Sequence, residues 1–217
     1  MRGLTFGGSG NGVREILCLG AHSDDIEIGC GGAVLELLTA NPDARITWVV
    51  FSGDGPRELE ARRSARLFLK GAKKSEVVLK GFRDGFFPDQ HRHIKEFFEE
   101  LKRRVSPDLI LTHYRQDRHQ DHRVISDLAW NTWRNHLILE YEIPKYDGDL
   151  GTPNVFVPLE EPIAAAKVEA LLGSCPSQAG KPWFDESLFR ALMRVRGMEC
   201  RSPSGLAEAF YARKLVL

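Results

Sequence analysis

The sequence predicts an α/β fold of the Rossmann-like, three-layer kind, with a mostly parallel sheet and a C-terminal α+β extension. Three observations carry this expectation. Short apolar runs alternate with longer segments of helical periodicity up to about residue 135. Those apolar runs are hydrophobic throughout rather than at every second position, as expected of strands buried on both faces of a parallel sheet. From about residue 137 the alternation gives way to two further strand-like runs, two helical segments and a last strand-like run.

Each element follows from its own residues. "REILCLGAH" (14–22) is a buried strand ending at Gly20-Ala21. "IEIGCGGAVLELLTA" (26–40) places Ile28, Val34, Leu35 and Leu38 at helical spacing and stops before Asn41-Pro42, because proline cannot continue a helix. "RITWVVFS" (45–52) is a second buried strand, and "RELEARRSARLFLKGA" (57–72) a polar-faced helix closed by Gly71. "SEVVLKGF" (75–82) is a third strand, and "HRHIKEFFEELKRRV" (91–105) an amphipathic helix stopped at Ser106-Pro107. "DLILTHY" (108–114) is a fourth strand and "DHRVISDLAWNTWRN" (121–135) another helix. Further on, "LILEYEIPKYDGDLG" (137–151) and "NVFVPL" (154–159) read as strands around a Tyr/Asp/Gly loop. Helices over 161–173 and 186–198 and a terminal strand, "FYARKLVL" (210–217), complete the expectation of a single domain over 1–217.

Composition excludes more than it selects. Lys+Arg and Asp+Glu are both 30, so the chain carries no net field to draw it to nucleic acid or an anionic membrane. No window approaches 18 apolar residues, so no membrane-spanning helix is expected, and "MRGLTFGGSGNG" (1–12) has no apolar signal-peptide core. Cys18, Cys30, Cys175 and Cys200 form no CxxC pair and read as reduced thiols of a cytoplasmic protein. Nothing in the composition excludes a homo-oligomer.

Two clusters carry chemistry: "AHSDDIEIGCGG" (21–32) after the first strand and "THYRQDRHQDHR" (112–123) after the fourth. In open parallel sheets ligands bind outside the carboxyl ends of the strands, so both clusters are expected at one rim. A catalytic zinc takes three nitrogen or oxygen ligands and keeps one position open. His22 and Asp25 lie three residues apart in a strand-to-helix turn, close enough to share an ion. If His122 completes the set, Asp24, His119 and Asp121 remain beside the metal as base, acid and imidazole-orienting carboxylate, the roles a hydrolase needs. Gly29, Gly31 and Gly32 are expected to let a substrate or another backbone come close to the following helix.

Together these motifs resemble the PIG-L (LmbE-like) metal-dependent N-deacetylases, whose first motif is usually His-Pro-Asp-Asp-Glu before a Gly-rich turn and whose second is His-x-x-Asp-His. The resemblance continues in "PSQ" (176–178) and "AEAF" (207–210). It implies a Rossmann-like fold, a bound Zn2+ (or Fe2+ or another divalent metal) and removal of an acetyl group from an N-acetylated sugar or related amide. It implies His22, Asp25 and His122 as metal ligands and Asp24 as general base. His119 becomes the acid or oxyanion stabiliser, and Asp121 the support of a neighbouring histidine. Ser23 replaces the usual proline, and Ile26 stands where many members have glutamate, with Glu27 one place later; both departures bear on substrate preference. Substrate contacts are expected from Arg57 and Asp84, after strands two and three, and from His113 and Gln178. Tyr141, Tyr146 and Asp147 are candidates to wall the pocket.

Other features read as structural. Asp24 also suits a helix N-cap. His91 and His93 open a helix among charges and read as a solvated face, and "GGSGNG" (7–12) precedes a strand instead of following one, which argues against dinucleotide binding. Two competing readings stand beside the deacetylase: a non-haem iron(II) enzyme using the same two histidines and one carboxylate, and a non-catalytic sugar- or nucleotide-binding module.

Overall fold

A computed structural model describes residues 12–215. Residues 7–11 of the glycine run and the last two residues of the expected terminal strand lie outside them. Among the described residues seven strands form one sheet in the order β3-β2-β1-β4-β5-β7-β6. The strands are β1 (Glu15–Gly20), β2 (Arg45–Val50), β3 (Lys74–Leu79), β4 (Leu109–His113), β5 (Leu137–Tyr141), β6 (Val155–Pro158) and β7 (Ala207–Ala212). The first five are parallel to one another; β7 runs antiparallel to both β5 and β6.

Six helices cover the sheet: α1 (Asp25–Ala40), α2 (Pro56–Phe68), α3 (His91–Arg104), α4 (Gln120–Thr132), α5 (Glu161–Ser174) and α6 (Glu186–Cys200). Helices α1, α2, α5 and α6 close one face over a core with Trp48, Phe68, Val168 and Met193, all buried. On the other face α3 and α4 pack around Phe51, Phe98, Ile125 and Trp133. Successive strand residues feed opposite cores: Ile16 and Cys18 enter the first, Leu17 and Leu19 the second. This two-sided burial is why the strands are apolar throughout.

The direction in which strands are added to the sheet reverses between β1 and β4. The chain steps outward from β1 to β2 and β3, then returns to place β4 on the other side of β1, paired Ile16 with Leu109. Ligands of such sheets bind at this topological switch point, where the exits of neighbouring strands diverge. Both motif clusters leave the sheet here.

Three details depart from the sequence expectation. The C-terminal strand runs Ala207–Ala212, not 210–217, because its register with β6 (Ala207 against Pro158) and β5 (Ala212 against Leu139) uses the "AEAF" segment. Low strand propensity of alanine and glutamate hid it. Helix α4 ends at Thr132, where the Trp133 N–H turns back to Ala129 O at backbone angles outside the helical range. Helix α1 is not continuous: Cys30 sits at φ −147°, ψ 15°, so two helical segments meet there.

Candidate active site

The first cluster folds into a tight hook. The His22 N–H donates to Asp25 Oδ2 at 2.6 Å, so the imidazole and carboxylate face the same way, with His22 Nδ1 3.3 Å from Asp25 Oδ2. The second cluster supplies His122 from the first turn of α4. Its Nε2 lies 3.4 Å from Asp25 Oδ1 and 3.3 Å from His22 Nδ1. His119 precedes α4 as its N-cap in extended conformation, its ring Nδ1 accepting the Asp121 N–H at 3.3 Å.

Buried carboxylates orient both imidazoles. Asp117 Oδ2 takes His122 Nδ1–H at 2.9 Å and also the Lys145 ammonium at 2.8 Å, while its Oδ1 accepts the His119 N–H. Lys145 in turn pairs with Asp149 at 2.6 Å, tying the loop after β5 to the second cluster. His22 Nε2 lies between Asp84 Oδ1 (3.0 Å) and Asp121 Oδ2 (3.2 Å), and Asp121 is itself held by the N–H groups of Gly85 (2.7 Å) and Phe87 (3.1 Å). The histidine that Asp121 contacts is thus His22, from the other cluster.

These partners set the electrostatics. Burial alone raises Asp25, but His122, His113 and His22 outweigh it and hold its carboxyl well below the usual range. Burial alone lowers His22 and His122, and Asp25 reverses both upward. A carboxylate and two imidazoles that compete for protons form a site short of positive charge. With Nδ1–H of His122 directed at Asp117 and Nε2–H of His22 at Asp84 and Asp121, His122 Nε2 and His22 Nδ1 are the nitrogens on which a cation would take the place of a proton. Zinc–ligand bonds of about 2.0–2.1 Å in a tetrahedron put neighbouring ligand atoms about 3.3 Å apart. His22 Nδ1 and His122 Nε2 are 3.3 Å apart, and each stands close to one oxygen of the Asp25 carboxylate, Oδ2 at 3.3 Å and Oδ1 at 3.4 Å respectively, so this donor set fits a divalent cation. A second grouping of His22, Asp84, His119 and Asp121 is also compact. It uses the His22 nitrogen that donates to carboxylates and an Asp121 already engaged by two amides, and so fits an ion less well.

The remaining expected residues divide into two sets. Asp24 is buried beside Asp25; its Oδ1 accepts from Arg57 at 2.9 Å, and Oδ2 has no partner among the described residues. Burial raises its pKa, against the pull of Arg57. His119 is half-buried at the edge, its ring centre 4.9 Å from that of His22 and 4.5 Å from that of His122. Burial, then His122 and His22, lower its pKa. Arg57 and the exposed Asp84 thus join the cluster.

His113 and Gln178, expected as substrate contacts, present almost no surface to one. His113 is 0% exposed, stacked under His122 at 3.9 Å, and its Nε2 accepts the Ala21 N–H at 2.9 Å. Burial pushes its pKa down to about 4, so it is a neutral floor to the site. Gln178 is buried, with its amide bonded to Ser177 and Lys181. Tyr141 is also internal, its hydroxyl donating to Leu19 O at 2.7 Å, whereas Tyr146 and Asp147 are exposed.

The glycines serve packing, not substrate access. A Cβ on Gly29 would stand 2.1 Å from the Tyr141 ring, one on Gly31 2.5 Å from Phe68, and one on Gly32 2.6 Å from Leu159. Sequence reasoning missed Asp117 and Lys145. The only signal for Asp117 was an acid five residues before His122; Lys145 had none. It also left Glu27 without a role, although this side chain is fully buried with neither oxygen partnered among the described residues.

Comparison with known proteins adds three likenesses and a family. The sequence profile described as PIG-L, GlcNAc-PI de-N-acetylase, matches residues 17–133, more than half of the chain. The chain is 28% identical over 172 residues to the uncharacterized deacetylase YaiS of Escherichia coli K12, covering 75% of this chain and 91% of YaiS. Its fold is similar to that of the conserved protein TT1542 from Thermus thermophilus, with a TM-score of 0.73 at 20% identity over 93% of this chain and 96% of the other. It is also similar to N,N'-diacetylchitobiose deacetylase from Pyrococcus horikoshii, with a TM-score of 0.69 at 19% identity over 92% and 84% of the two chains.

Proposed function

The chain belongs to the PIG-L (GlcNAc-PI de-N-acetylase) family, and from that premise we propose that it is a zinc-dependent N-deacetylase of an amino sugar or sugar-containing metabolite. One observation supports the reading above the rest: His22, Asp25 and His122 bring donor atoms to within 3.3–3.4 Å of one another, beside a buried Asp24 oxygen with no partner among the described residues. Among the described residues no helix is long and apolar enough to cross a membrane, in keeping with a substrate met in water.

A cation held by the three ligands supplies Lewis acidity to a water and to the amide oxygen. The chain's own groups do the rest. Arg57 fixes Asp24 Oδ1. Oδ2 takes the proton of the attacking water and returns it to the amine nitrogen as the C–N bond breaks, giving acetate and a free amino group. His119 accepts the Asp121 N–H at Nδ1, so its proton sits on Nε2 even when the ring is neutral. That N–H is a hydrogen-bond donor for the oxyanion, and a lowered pKa keeps the ring neutral without removing it. Asp84, exposed beside His22, and Arg57 are the groups placed to meet sugar hydroxyls.

The test is acetate release from free, nucleotide-linked and lipid-linked N-acetylamino sugars, with N-acetylamino acids as controls, before and after metal stripping. The reading expects acetate and free amine in equal amounts from at least one sugar, lost on stripping and restored by zinc. Oxygen consumption with iron(II) and no acetate would replace it with the non-haem iron reading, for which the same donor set is suited.

A further inference from the structure

Helix α1 carries Asp25 at its start and Asp24 just before it, and it is broken five residues later, at Cys30. A break inside a helix strands carbonyl groups on one side and N–H groups on the other. Here every residue from Asp25 to Val34 is buried, so water cannot satisfy them. Two charged side chains from distant elements do so instead. Lys167, on α5, donates from Nζ to Ile28 O at 2.7 Å, on the near side of the break. Glu208, on β7, accepts the Gly32 N–H at 2.9 Å and the Ala33 N–H at 2.7 Å, on the far side. The two pair with each other at 2.5 Å, and both are almost wholly buried, at 2% and 4% exposure.

The signs match the local fields. An ammonium sits at the carbonyl end of the first segment and a carboxylate at the amide end of the second, each where a helix dipole favours it. Buried ion pairs are a poor route to stability, since apolar residues of similar volume often serve as well or better; a conformation they specify is a better reason for one. The conformation in question is the angle between the two segments of α1. The first segment must aim at His22 and His122 while the helix as a whole packs against α5.

We propose that Lys167 and Glu208 are positioning residues that hold the first turn of α1, and so set the affinity of the metal site through Asp25 and the placement of Asp24. This rests on the reading of His22, Asp25 and His122 as ligands.

Cobalt(II) is the probe, because its visible spectrum reports ligand geometry. Metal-stripped parent, Glu208→Gln, the double variant Lys167→Met/Glu208→Gln and the mild variants Glu208→Asp and Lys167→Arg are titrated with cobalt, and their melting temperatures are recorded alongside. Leu101→Ala, a cavity in the opposite core, serves as the comparison for stability loss alone. The proposal expects Glu208→Gln and the double variant, once folded, to bind cobalt at least tenfold more weakly, with a changed absorption band. Glu208→Asp and Lys167→Arg, which keep the charges and alter only reach, should fall between parent and Glu208→Gln. Leu101→Ala should melt earlier yet bind cobalt as the parent does. Parental affinity and spectrum in the folded variants overturn the proposal, as does equal weakening in Leu101→Ala. A parent that binds no cobalt overturns the ligand reading itself.

Discussion

Asp24 and Asp25 are neighbours whose environments push them apart. Burial pushes both up; at Asp25 three histidines outweigh it, whereas at Asp24 Arg57 and His22 oppose burial without reversing it. Such divergence is how two carboxylates divide the work of ligand and base. Replacing Asp24 with Asn keeps its shape and removes the base. The expected result is parental zinc content by elemental analysis and turnover lower by about 10²-fold or more. Glu27 is the other isolated acid. Burial pushes its pKa up from 4.5 to about 8, so the folded chain holds a proton there that the unfolded chain releases. Its stabilising contribution is complete below pH 4.5 and is lost as pH rises through 8, at about 1.4 kcal/mol per pH unit in that window. Glu27→Gln should therefore raise the melting temperature more at about pH 8.5 than at about pH 5, and an equal shift at both would contradict it. That His22, Asp24, Asp25 and His122 lie together was readable because motif spacing is local. Asp117, Lys145 and the contact of Asp121 with His22 were not, because each joins loops that only the folded sheet brings together.

At the level of elements, strands and helices up to residue 132 follow from hydrophobic period, since burial on both faces leaves a strong apolar signal. The break in α1 left no such signal. Its three glycines look like room for a ligand, yet the space is filled from inside by Tyr141, Phe68 and Leu159. The Tyr141 ring has nowhere to go: it is 0% exposed, bonded to Leu19 O and packed on His113. Gly29→Ala should thus cost about 1–3 kcal/mol or more in urea unfolding, the usual range for overpacking a core. An unchanged unfolding midpoint would mean that this turn tolerates a side chain, and that the glycine answers to something other than Tyr141.

Across the whole molecule, the sheet order does what neither motif does alone. Placing β4 beside β1 brings residues 22–25 and 117–122 together at the switch point, and the C-terminal strand returns through the sheet to support α1 from behind with Glu208. The rim location was readable from two clusters that each follow a strand; the support was not, because Glu208 lies in a segment with little strand propensity and Lys167 on a helix with no polar pattern around it. On the reading proposed above, this convergence builds one catalytic metal site. The decisive experiment strips the chain with a chelator, returns zinc in measured steps and follows bound metal and acetate release from an accepted N-acetylamino sugar in the same samples. The stripped chain should release no acetate, and release should climb in proportion to bound zinc up to one ion per chain, with His122→Ala neither binding zinc tightly nor releasing acetate. Full release by the stripped chain, or parental zinc binding by His122→Ala, would contradict it.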